Sequence, residues 1–81
     1  GTHMATLTTA VNTAFTPDAG QFIIQVGGSP APVTLLRRNT AGAPWVPVGP
    51  VLSGAWIVDN PIAGADYQFR VDGTAVVQAD Q

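Results

Sequence analysis

The chain has 81 residues, of which 46% are hydrophobic and only 10% charged, with a formal net charge of −2. That length allows one domain, near the size at which a single core becomes marginal, and three cations leave no basic patch able to neutralise several phosphates. Nucleic-acid binding as the main activity is disfavoured on that ground, and no apolar run approaches the ~20 residues that cross a bilayer.

Residues 1–4 read as a cloning scar, which leaves residues 5–81 as a single domain with a start codon at Met4. With His3 set aside, the remaining sequence has no histidine, cysteine, lysine or glutamate, and every side-chain charge is Asp18, Asp59, Asp66, Asp72, Asp80, Arg37, Arg38 or Arg70. Its surface vocabulary is Thr, Val, Gly, Pro and Asn, the residues of strands and turns, so the expected class is all-β. Disulfides and zinc, two usual supports of small domains, are unavailable to such a composition, and oligomerisation is the remaining one.

In chain order, Ala5 to Phe15 is Thr-rich and predicts an extended arm or first strand, with Leu7, Val11 and Phe15 spaced four apart. Thr16-Pro17-Asp18-Ala19-Gly20 predicts a turn. Gln21 to Val26 predicts a strand with Phe22, Ile24 and Val26 on its core face. Gly27 to Pro32 then reads as a hairpin loop into the strand that begins at Val33, where Val33 and Leu35 alternate with Thr34 and the run ends in Arg37 and Arg38. Asn39 to Pro44 is a reversing loop with a glycine, and Trp45 to Val48 is a return strand that Pro47 confines to an edge or bulge.

Gly49 to Gly54 is a connection carrying Val51 and Leu52. Ala55 to Asp59 is the next strand, with Trp56 and Val58 on one face. A loop from Asn60 to Asp66 leads into Tyr67 to Asp72, whose Tyr67, Phe69 and Val71 face the core. Asp72-Gly73 is a two-residue hairpin signal joining that strand to Thr74–Gln78, and Ala79 to Gln81 reads as a polar tail. Six or seven short strands at this spacing predict a small antiparallel β-sandwich or a partly open barrel.

Four segments in this order resemble a small β-sandwich module of tailed-bacteriophage virions, whose recurring pattern is a "TVTLQRS" strand, a "DGGATW" loop, "VPV" and a later "NP.PG.YRFRV". The counterparts are Pro32-Val33-Thr34-Leu35-Leu36-Arg37-Arg38, Ala41-Gly42-Ala43-Pro44-Trp45, Val46-Pro47-Val48, and Asn60-Pro61 with Gly64, Tyr67, Phe69, Arg70 and Val71. Asn39-Thr40-Ala41 stands where that pattern carries acidic and glycine residues. The resemblance implies a non-enzymatic structural component of head or tail, in particular a capsid decoration or stabilising protein bound in many copies. It further implies the major capsid or tail protein as partner, a trimeric assembly, and localisation to the virion after synthesis in the host cytoplasm.

The inventory for chemistry is short. General acid–base work would fall to Asp and Tyr67 alone, and Ser29, Ser53 or a threonine would have no His or Lys to activate it, so no catalytic residues are expected. Asp59, Asn60 and Asp66 lie in one loop region, yet three oxygens fall short of the ~6–8 that Ca²⁺ takes. They read instead as turn residues bonding their own backbone, with no metal and no cofactor. The rival function is a carbohydrate- or other ligand-binding module, for example in tail-associated host binding, using Trp45, Tyr67 and the nearby loops. Trp56, between apolar neighbours, reads as a core anchor, and Trp45, beside Pro44 and Pro47, as the exposed aromatic. Ile23, Leu36 and Val76 each put a large apolar group on the nominally wet side of a strand and are expected to converge as a self-association face.

Overall fold

The computed structural model describes residues 4–28, 33–51 and 53–81. Its seven strands are β1 (Thr6–Thr8), β2 (Gly20–Gly28), β3 (Val33–Arg38), β4 (Val46–Val51), β5 (Gly54–Asn60), β6 (Asp66–Val71) and β7 (Ala75–Asp80). They form two antiparallel sheets, one in the order β1-β7-β2-β5 and the other β4-β3-β6. The architecture is a small all-β sandwich, with no helix among the described residues. The loop residues Ser29–Pro32, Leu52 and residues 1–3 of the expected scar lie outside the described residues.

Strand alternation builds the core as the apolar pattern requires. Phe22, Ile24, Val26, Val77 and Ala79 face inward from the four-stranded sheet, and Val33, Leu35, Tyr67, Phe69 and Val71 face them from the three-stranded one. Phe15 joins the two layers, its ring 5.6 Å from Phe69 in a stacked arrangement and 5.9 Å from Phe22 edge to face.

Two expected hairpins are absent. Asp72-Gly73 carries the chain from β6 in one sheet to β7 in the other, and β2 and β3 likewise belong to different sheets. A turn-forming composition determines that the chain reverses, but not whether the next strand pairs beside the last or packs across from it. Here Val71 and Val77 are both buried by lying in opposite layers. The β3–β4 connection is a true hairpin, closed by a hydrogen bond from the Ala43 amide to the Thr40 carbonyl, with Gly42 at a φ of 90° that an L side chain rarely adopts.

The N-terminal arm is ordered against both sheets. β1 pairs with β7, after which the chain crosses to the free edge of β6. There Phe15 exchanges two backbone hydrogen bonds of 2.8 Å with Tyr67. Asn12, at a φ of 54°, receives the Val71 amide on Oδ1 and donates from Nδ2 to the Val71 carbonyl, each at 3.0 Å, so its side chain stands in for a strand backbone. The expected polar tail is largely strand. β7 runs to Asp80, Ala79 is fully buried, and Gln81 exchanges backbone hydrogen bonds with Ala5.

Candidate functional site

Trp56 is not the core anchor expected of it, and it is the more exposed of the two tryptophans. Trp45 is half-buried because the Arg38 guanidinium lies 4.5 Å over its ring. Arg38 in turn donates from Nε to Asp66 Oδ2 at 2.7 Å, and the Thr16 hydroxyl donates to the other Asp66 oxygen at 2.6 Å. Trp56 lies opposite Ile24 on the inner side of its sheet, as the alternation predicts, but β5 is the outermost strand and among the described residues no strand pairs with its far side. It remains 50% exposed.

The acidic and amide groups considered for calcium are engaged elsewhere, and not through their own turn backbone. Asn60 is buried, donating to the carbonyls of Asp18 at 2.8 Å and Pro17 at 3.3 Å while accepting from the Tyr67 hydroxyl. Asp66 serves Arg38 and Thr16, and Asp59 accepts from Gln21 on the neighbouring strand at 3.1 Å. The correction has a physical cause: side chains at the ends of β5 and β6 reach the arm and adjacent strands more readily than their own loop. Among the described residues no group of three or more His, Cys, Asp or Glu side chains is placed to hold a metal ion.

Two charge environments depart from the ordinary. The Thr16 hydrogen bond, and next the Arg38 hydrogen bond, hold the Asp66 carboxyl below its usual 3.8, against an opposing push from burial. Burial raises the Tyr67 phenol, partly offset by the Arg37 charge, whose guanidinium lies 5.6 Å from the ring. Tyr67 is 1% exposed, so it offers no face to a sugar, and Arg38 covers one face of Trp45.

Ile23, Leu36 and Val76 do not converge. Ile23 and Val76 lie on the outer face of the four-stranded sheet, whereas Leu36 lies on the outer face of the other, between Pro47 and Gln68. Being on the wet side of a strand says nothing about which sheet the strand joins. What the fold assembles instead is the open side of the sandwich, between β4 and β5. A groove of about 300 Å³ there reaches in between the layers, lined by Ile24, Leu35, Val48, Val51, Trp56 and Val58. Ile57, at its rim, is 66% exposed and pairs in register with Ile23.

This arrangement presents apolar surface and strand backbone, with Asp59 its single charged lining group. Ile57 carries the same signal as Ile23, an isoleucine between two inward residues, and could have been found by that pattern in Trp56-Ile57-Val58. Comparisons of the chain with protein-family models, with curated proteins and with solved structures each return no match.

Proposed function

We propose that the chain is a non-enzymatic structural protein of a tailed-bacteriophage virion, a decoration and stabilising protein bound in many copies to the capsid exterior. The observation that carries this reading is the ordered resemblance of four segments spread over Pro32 to Val71. In the fold these segments supply β3, its turn, β4 and β6, which together are the three-stranded sheet, plus Asn60 at its margin. Residues that carry the resemblance also hold this region together, since Trp45 packs on Arg38 and Asn60 bonds Tyr67.

The rest of the molecule suits that role. Several of its few charged side chains are spent on internal pairs or surface hydrogen bonds, as in Arg38 with Asp66 and Gln21 with Asp59. The apolar side between β4 and β5 is a surface for association rather than for chemistry. Mass spectrometry and immunogold microscopy of gradient-purified particles test the reading, on the phage whose head or tail genes include this reading frame. The expected result is many copies per particle with label on the head. Its absence from purified particles, or a reading frame remote from any phage structural genes, overturns it.

A further inference from the structure

Two open sheets have four edges, and three of these are blunted against further strand pairing. β1 is only three residues long. β6 is covered by Asn12 and Phe15. β4 contains Pro47 and Pro50, which have no amide to donate, and its register slips beside Leu35 and Leu36. The fourth edge is β5, Gly54–Asn60, seven residues without proline or a basic side chain, paired to β2 with no register shift. Such a strand is a ready template for another. It is also apolar on both faces, with Trp56 and Ile57 each at least half exposed.

We propose that β5 pairs antiparallel with β5 of a second copy of this chain, about a two-fold axis at Ile57. The two four-stranded sheets then become one of eight. The register follows from the strand itself. Antiparallel partners share a face, so inner residues must meet inner residues, and centring on Ile57 is the register that pairs the strand over its full length. Gly54 meets the partner's Asn60, Ala55 the partner's Asp59, Trp56 the partner's Val58, and Ile57 its own copy. A slip of two residues one way sets indole against indole, and the other way sets Asp59 against Ile57.

Self-pairing is favoured over a foreign strand by this reversal symmetry and by charge. Asp59 is the one charged residue in β5, and the register places the two copies of it about 14 Å apart along the ladder, beyond a Debye length of ~8 Å. The same axis brings the β4 strands to flank each other, with Val46 and Val48 each 52% exposed. The open sides of both sandwiches are then covered together, and the buried total is on the order of the 1,000 Å² that a specific interface clears. The pairing is two-fold by construction and takes the place of the threefold assembly implied by the resemblance. It is independent of the virion reading, because it concerns the chain alone in solution.

Sedimentation equilibrium up to millimolar concentration tests it, with an expected limiting mass twice the 8.3 kDa of one chain. Ile57→Lys and Ile57→Asp each set like charges against each other on the axis, and each is expected to halve the mass while the β circular dichroism persists. Mixing the two in equal amounts is expected to restore the double mass, and Val76→Lys, on the same face but two strands in from the β5 edge, to leave it unchanged. A single-chain mass throughout, a trimeric mass, a dimer indifferent to Ile57→Lys, or a mixture that stays monomeric overturns the proposal. Should either variant unfold, hydrogen exchange of the unaltered chain decides: β5 amides must be better protected in the two-chain species than after dilution to single chains, and equal protection overturns it.

Discussion

The Tyr67 hydroxyl donates a 3.2 Å hydrogen bond to Oδ1 of Asn60, and each residue is only 1% exposed. Asn60 donates from Nδ2 to the carbonyls of Pro17 and Asp18, so one side chain ties the end of β5 to β6 and to the turn that follows the arm. Asn60→Ala leaves the phenol and two carbonyls without that partner, at an expected cost of about 3 kcal/mol, whereas Tyr67→Phe costs about 1 kcal/mol. Against a total of ~4–12 kcal/mol for a domain of this length, the first variant is marginal and the second folded. Urea titration of the two variants measures the difference.

Asn12 combines a positive φ with two side-chain bonds to Val71. Asn12→Ala loses both bonds and adds a left-handed alanine, for an expected loss of about 2–3 kcal/mol. Asn12→Gly loses the bonds but relieves the backbone and should be about 1 kcal/mol less damaging. The order Asn, Gly, Ala in thermal stability is the expected outcome.

Acid should weaken the fold through Asp66. Because Thr16 and Arg38 make this carboxyl more acidic in the folded chain than its ordinary 3.8, the unfolded chain takes up the proton more readily. The stabilisation is therefore whole at neutral pH, begins to fall as the pH drops through the unfolded-state value, and is gone below the lowered folded value. Asp66→Asn should be less stable than the parent at pH 7 but lose less stability on acidification, and Thr16→Val should fall between them. Unfolding titrations from pH 7 to pH 2.5 check the slopes, the lower limit lying roughly a unit below an ordinary aspartate.

Trp56 and Phe22 separate area from position. Truncating a fully buried aromatic costs ~3–5 kcal/mol, the expectation for Phe22→Ala, which is fully buried. Trp56 is half exposed in a single copy, so Trp56→Ala should cost about half as much and remain folded when unfolding is followed at high dilution.

Chelators should leave the melting temperature unchanged, because the side chains of Asp59, Asn60 and Asp66 are each hydrogen-bonded to a different protein group. A rise in melting temperature on adding Ca²⁺, reversed by chelator, is the contrary result to look for by differential scanning fluorimetry.

Much of the fold was legible where period-two alternation was clean. Phe22-Ile24-Val26, Val33-Leu35 and Tyr67-Phe69-Val71 all point inward as the pattern requires. Sheet membership was not legible, since Asp72-Gly73 has the chemistry of a reversal whether the chain pairs or crosses. The exposure of Trp56 was hidden for the same reason: its neighbours Ala55, Ile57 and Val58 are apolar in sequence, while the strand order alone makes β5 an edge. Asn12 was missed because its role lies in a long-range bond to Val71, which no local pattern encodes. Of the residues expected to form a self-association face, Ile23 alone adjoins the exposed edge of β5, through Ile57.

β7, last of the seven strands, lies between β1 and β2 and hydrogen-bonds both. A nascent chain therefore cannot complete its four-stranded layer while β7 is still inside the ribosome, however long β2 and β5 have been outside. Until then Phe22 and Ile24 lack the Val77 and Ala79 side of their packing, and the arm has no β7 on which to dock β1. Among the strand pairings of the described residues only β3 with β4 is local, so closure waits on long loops and should be slow, on the millisecond-to-second scale of all-β domains. Translation speed past Val71 and chaperone occupancy of the unfinished layer, rather than final stability, would then govern how much of the protein reaches its native form in the cell.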